Sequence, residues 1–244
     1  MAEKKSVVTP ERFASGMTFD QYVAYVGSPE NLKREGARGT PRRDWSGYLR
    51  KRYEKVRLSD VQTAEFRWLA SQPGGPAKIL VIAEEWSSDC RRDVPMLARL
   101  AEAGGLELRI FRRDGEKEGR SQRPSLEEAP DSNADIMAEF LNVKNGQTWQ
   151  SIPVAVFYTK DLEYLYHYIE YPAIYHKDRL VGDGHRVVGV IRAAKPGETP
   201  DQTRERGDRE FFALQESPFF DLWACAGIDE ILSALHERLV VGSL

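Results

Sequence analysis

The stretch EEWSSDCRRDVP, Glu84–Pro95, follows directly on an unbroken apolar run, Ile79-Leu80-Val81-Ile82-Ala83. Such a run is the signature of a strand buried on both faces. Within the stretch, Ser87 or Ser88 can cap a helix, and Asp89 falls in the first turn, where a negative charge meets the positive end of the helix dipole. Cys90, Val94, Leu97 and Ala101 recur at helical spacing as an inner face, and Gly104-Gly105 ends the element. Pro95 has no backbone N–H, so it removes the bond to Arg91 and bends the helix. A helix N-terminus at the carboxyl end of a central strand places unpaired N–H groups in the crevice where α/β sheets bind ligands. A thiol in that position has its thiolate stabilised.

Downstream, Leu106-Glu107-Leu108-Arg109-Ile110 alternates apolar and charged residues, as a strand with one wet face does. A polar loop, a short helix over 135–143 and two strands over 153–159 and 162–169 complete this part. Strand–helix–strand gives a parallel pair, and the two later strands, joined by a short turn, an antiparallel one. The expected fold class is therefore an α/β sandwich with a mixed sheet. Residues 170–198 carry no pattern that assigns an element. Thr199-Pro200-Asp201-Gln202 opens a helix, and Cys225, Ile228, Leu232, Leu235 and Leu239 form a core-facing stripe in another.

Upstream, the first fifteen or so residues are polar and read as loose. Thr18 and Gln21 make a capping box ahead of Phe19, Tyr22, Val23 and Val26. Residues 27–44 read as a charged loop, and Trp45, Tyr48, Leu49 and Tyr53 as a helix. A third helix opens on a second box, Ser59 and Gln62, carries Val61, Ala64 and Trp68 on one face, and stops at Gly74-Gly75-Pro76.

The chain has 244 residues with 35 Lys+Arg against 38 Asp+Glu, so its net charge of −3 gives no global argument for nucleic acid or an anionic membrane. No apolar run reaches the ~18 residues of a membrane span, and MAEKKSVVTPERF lacks the apolar segment of a secretory signal. Cys90 and Cys225 alone imply no disulfide framework, and a reducing cytoplasm is the expected location. The ten Lys/Arg against three Asp/Glu in residues 31–57 read as a solvated face rather than a nucleic-acid patch. His167, His176, His185 and His236 form no i, i+4 pair and stand near no acid cluster, so no metal site is expected. No cofactor is expected either. The sequence carries no reading of oligomeric state.

The order of Trp86, a C-x-x-C-like window holding only Cys90, Pro95 inside the helix, and Ser151-Ile152-Pro153 at a strand start resembles the thioredoxin family. The helical N-terminal extension and Arg113-Asp114 after the second strand are similar to a bacterial thioredoxin-like subgroup. The resemblance implies a thioredoxin-like three-layer sandwich with helical extensions at both ends: an extension over 1–75, a core over 76–170, and a tail over 171–244 containing the terminal helix. It implies a cis peptide bond at Ile152-Pro153, facing the Trp86–Cys90 segment and able to pair with an extended peptide. It also implies a redox lineage, with catalytic positions at Ser87 and Cys90 and substrate contacts at Trp86, Ser88, Asp89, Ser151, Ile152 and Pro153.

Two departures qualify the chemistry. Ser87 stands where the family has its nucleophilic cysteine, and a hydroxyl cannot form a disulfide. Val81 stands where thioredoxins have the buried acid that serves the second thiol. The two-thiol cycle is thus unavailable. Three readings remain: one-cysteine redox chemistry at Cys90, a non-catalytic module holding an extended peptide or a protein partner at Ile152-Pro153, and a peroxiredoxin-like thiol peroxidase. The last needs a proline ahead of its T-x-x-C window, and Ala83 and Glu84 stand there instead. A glutathione-transferase reading ranks lower, because Val154-Ala155 follow the proline where that family has an acid and a serine. Tyr164, Tyr166 and Tyr168 share one strand face and read as covered by the tail.

Overall fold

A computed structural model describes residues 6–173 and 186–241. Part of the unassigned segment 170–198 thus lies outside the described residues, as do His176 and His185. Four strands, β1 (Lys78–Ala83), β2 (Glu107–Arg112), β5 (Val154–Tyr158) and β6 (Tyr164–Ile169), form one sheet in the order β2-β1-β5-β6. β1 and β2 run parallel, and the β1–β5 and β5–β6 pairs are antiparallel. The crossover between β1 and β2 is helix α6 (Ser88–Gly104). A separate hairpin, β3 (Asn142–Lys144) and β4 (Gln147–Trp149), lies between α7 (Ala134–Met137) and β5. The mixed α/β class is as the sequence indicates.

β1 is central, and Ile79 through Ala83 are fully enclosed. Its burial on both faces is why the run has no polar residue. Around α6 pack α4 (Ser46–Lys55), α5 (Asp60–Ser71) and α10 (Pro218–His236), and α10 also touches β6. Helices α1 (Pro10–Ala14), α2 (Phe19–Val26) and α3 (Pro29–Leu32) precede them, and α8 (Arg186–Arg192) and α9 (Pro200–Gln215) come before α10.

Several expectations need correction. The first fifteen residues are not loose from Ser6 on: Val8 and Phe13 are buried, Ser6 and Val7 bond Glu139, and Met17 pairs with Ile110. That bridge covers the β2 edge, so Ile110 and Phe111 are both buried and the alternation of the strand breaks down. In α5, Val61, Ala64 and Trp68 face outward, Val61 at 79% exposure, while Phe66 and Leu69 face the core. The helix expected over 135–143 ends at Met137, and the chain then turns into β3. Residues 27–44 contain α3 and a 3-10 turn at Ala37–Gly39. Ile228, Leu232 and Leu235 face inward in α10 as expected, but Cys225 is only half-buried, and Ala224 and Ile231 join the inner stripe.

The three capping boxes are all present. In α5, the Ser59 hydroxyl accepts from Gln62 N at 3.1 Å and the Gln62 side chain accepts from Ser59 N at 2.9 Å. Ser59→Ala is expected to lower stability by ~1 kcal/mol, read as a shift of the urea midpoint at unchanged slope. An unchanged midpoint would show that water replaces the cap without cost.

Candidate functional site

The carboxyl end of β1 delivers Glu84, Glu85 and Trp86, and the chain then enters α6. Ser87 is its N-cap, with Oγ accepting from Cys90 N at 3.4 Å. This local bond fixes the S-x-x-C turn and places Cys90 one turn inside the helix. Cys90 is 1% exposed and Ser87 8%, whereas Trp86, Ser88 and Asp89 are half-buried. Burial pushes the Cys90 thiol well up, and Asp89 and Asp93 add to it; the Glu84 backbone and the Ser87 hydroxyl oppose only in part.

The arginines after Cys90 are both buried. Arg91 donates from Nη1 to the carbonyls of Glu85 and Trp86 at 2.8 and 2.9 Å. Its Nη2 bonds Gln215 of α9 at 2.8 Å, and its guanidinium lies 3.9 Å from the Trp45 ring centre. Burial pulls the Arg91 pKa down to about 10. Arg92, 0% exposed, grips Asp93 through two 2.6 Å bonds, reaches Asp89 at 2.9 Å and donates to Glu170 O at 2.7 Å. The rings of Phe220 and Trp223 flank it at 5.5 and 5.3 Å. Tyr168 completes this group by donating to Asp93 at 3.1 Å. Burial raises the Asp93 carboxyl to about 6 despite Arg92.

A second buried group lies on the other side of Trp86. Arg34 meets Glu84 at 2.9 Å, and Arg42 meets Glu84 at 2.5 Å and Glu85 at 2.8 Å. Asp114 N donates to Glu84 at 2.7 Å, Arg113 pairs with the Asp114 carboxylate at 2.7 Å, and Trp86 Nε1 donates to it at 3.2 Å. Burial would raise Glu84, but Arg34 and Arg42 outweigh it and hold the carboxyl below its usual range. Burial and the Glu84 charge push Glu85 up. Thus Arg34 and Arg42, which the charge count in 31–57 assigned to a solvated face, are internal counter-ions, and Arg52 is buried as well.

The Ile152-Pro153 peptide is cis, and both residues are buried. Ser151 is half-buried, its hydroxyl accepting from Asn142 at 3.3 Å. Arg113 joins this loop to the motif: it donates to Gln150 O at 2.8 Å while lying 5.1 Å from the Trp86 ring centre. The residues named from sequence are therefore brought to one neighbourhood. Chemically, the thiol is shielded and the Ser87 hydroxyl is engaged as a cap. Sequence reasoning missed Arg34, Arg42, Asp93 and Gln215, and gave Asp114 and Tyr168 no part in the site. The available signal was the pair Glu84-Glu85 at the end of a buried strand, which requires counter-ions. Among the described residues no group of three His, Cys, Asp or Glu could hold a metal ion, and no helix is long and apolar enough to cross a membrane.

A family model described as Thioredoxin matches residues 40–130, which include β1, the S-x-x-C turn, α6 and β2. No curated protein matches the chain. Among solved structures, the chain is similar to a protein of unknown function from Pseudomonas aeruginosa, with a TM-score of 0.50 and 13% identity over 97% of this chain and 99% of that one. It is also similar to an HIV epitope scaffold, with a TM-score of 0.50 and 14% identity over 95% of this chain and 98% of that one. Identities this low speak to fold alone.

Proposed function

We propose that this chain, in which a family model described as Thioredoxin matches residues 40–130, is a non-catalytic binding protein of thiol–disulfide redox lineage rather than a reductase. The observation that carries this reading is the enclosure of Cys90 beneath a serine cap. One thiol without exposure, a raised pKa and no second sulfur in the S-x-x-C window leave no route for dithiol exchange there. The S-x-x-C turn serves instead as an anchor. Glu84 and Glu85 tie it to the N-terminal extension through Arg34 and Arg42, and Arg91 and Arg92 tie it to the C-terminal helices. The part left open to a protein partner is the rim formed by Trp86, Ser88, Asp89 and Ser151, all half-buried. Ile152 and Pro153 sit below that rim and offer little surface, so the contact falls on the rim rather than on their backbone.

The test is reduction of insulin disulfides with dithiothreitol as donor. The wild-type chain is expected to give no turnover above the uncatalysed reaction. Ser87→Cys restores the second sulfur at the cap position and is expected to give weak turnover, held down because Val81 relays no proton and the position is nearly closed. Wild-type turnover at the level of an ordinary dithiol protein would sink the proposal, as would consumption of hydrogen peroxide abolished by Cys90→Ala.

A further inference from the structure

An open cleft of about 480 Å³ lies between the α4–α5 connection, α5 and the C-terminal half of α6, away from the S-x-x-C turn. Three arginines from three elements line it, Arg57, Arg67 and Arg99, against one acid, Glu102. Each guanidinium is fastened to a backbone carbonyl. Arg57 Nη1 donates to Val56 O at 2.8 Å, Arg67 Nε to Ala103 O at 3.0 Å, and Arg99 Nε to Tyr53 O at 2.9 Å. Arg99 also stacks 3.8 Å from the Tyr53 ring centre and holds Glu102 at 3.0 Å. Glu102 is therefore already engaged, by Arg99 and by the Tyr53 hydroxyl. Among the described residues neither Arg57 nor Arg67 has a carboxylate within salt-bridge reach.

The local balance of three cations against one anion leaves two positive charges facing an open volume. The rest of the lining is apolar Val56, Leu58 and Ala103, together with Thr63. Carbonyl bonds at one edge of the guanidinium fix its plane, and the other N–H groups of Arg57 and Arg67 have no partner among the described residues; such a fork matches two oxygens of one oxyanion. The α6 carboxyl end places negative partial charge nearby, which Arg67 offsets by bonding Ala103 O. The volume falls in the ordinary range for small-molecule sites.

We propose that this cleft binds a small oxyanionic ligand, a phosphate or carboxylate group carried on an apolar body. The inference is independent of the reading of the S-x-x-C turn. Titration calorimetry of the full chain at low ionic strength tests it, with inorganic pyrophosphate as the phosphoryl probe and benzoate as the carboxylate probe. At least one of them is expected to bind with Kd below ~1 mM, and affinity should weaken as added salt shortens the screening length from ~30 Å at 0.01 M to ~10 Å at 0.1 M. Arg57→Gln and Arg67→Gln are each expected to weaken binding by ~10-fold or more, while Arg67→Lys keeps the charge, loses the fork and falls between. Both positions are exposed, so these variants should fold as the parent does. Arg50→Gln, exposed and outside the cleft, should change nothing. Binding of pyrophosphate alone or benzoate alone assigns the ligand's acidic group. No binding of either, or binding that Arg57→Gln and Arg67→Gln leave unchanged, overturns the proposal.

Discussion

Arg42→Ala is expected to lower the stability of the fold by about 3–5 kcal/mol, the usual cost of leaving a buried charge without its partner. The side chain of Arg42 is fully enclosed between two carboxylates that are themselves 1% exposed. Its removal leaves Arg34 on Glu84, while Glu85 keeps no salt-bridge partner among the described residues. Cavity formation adds to the charge effect. For a chain of this size the loss corresponds to roughly 6–20 °C in Tm. Arg43, next in sequence and exposed, supplies the comparison: Arg43→Ala should stay within ~0.5 kcal/mol of the parent.

The same variant has a pH signature. Burial and the neighbouring Glu84 already raise Glu85, and loss of Arg42 raises it further. A carboxyl whose folded pKa exceeds its unfolded one favours the folded state below the unfolded value and loses that contribution as pH rises through the folded value. The deficit of Arg42→Ala should therefore be smaller at pH 5 than at pH 7.5. A deficit equal to that of Arg43→Ala at both values would mean that water reaches Glu84 and Glu85 and that the buried group is not what ties the N-terminal extension to the motif.

What the sequence made legible follows from how local each signal is. The apolar run Ile79–Ala83, the Ser87 cap and the two upstream capping boxes are set by neighbours a few residues apart, and each is found where expected. The α5 face was misread because Val61, Ala64 and Trp68 fit helical spacing as well as Phe66 and Leu69 do. Only the position of α6 and α10 decides which side is inner. The hairpin at 142–149 was missed because β3 and β4 are three residues each, too short for a period to show. At the site, Trp86, Ser87 and Cys90 were found from their own stretch. Their counter-ions were not, because Arg34 and Arg42 lie some fifty residues upstream in a segment whose composition is that of a solvated loop. Nothing local distinguishes a buried arginine from an exposed one. The distinction comes from Glu84 and Glu85, whose burial was itself implied by their place at the end of a central strand.

Cys90 decides between a silent scaffold and one-cysteine chemistry, and it is expected to be alkylated by iodoacetamide at pH 7 at least ~100-fold more slowly in the folded chain than after unfolding. Two effects multiply. An ordinary cysteine with pKa ≈ 8.5 is about 3% thiolate at pH 7, and each unit of upward shift divides that fraction by about ten. Desolvation is the leading cause of the shift here, with Asp89 and Asp93 adding like charge. The second effect is access: at 1% exposure the sulfur meets reagent only when the first turn of α6 opens. Arg91 and Arg92 bring no relief, since one is spent on Gln215 and the carbonyls of Glu85 and Trp86 and the other on Asp93 and Asp89. Cys225 is half-buried and should react first, so Cys225→Ser isolates the measurement. Cys90→Ala should leave the fold intact at a cost of ~1 kcal/mol. It should also remove part of the stability loss seen as pH rises above ~8.5, because a thiol with a raised folded pKa supports the folded state only while its unfolded form stays protonated. Rapid modification of Cys90 in the native chain, or its selective oxidation by peroxide, would replace the scaffold with a monothiol enzyme.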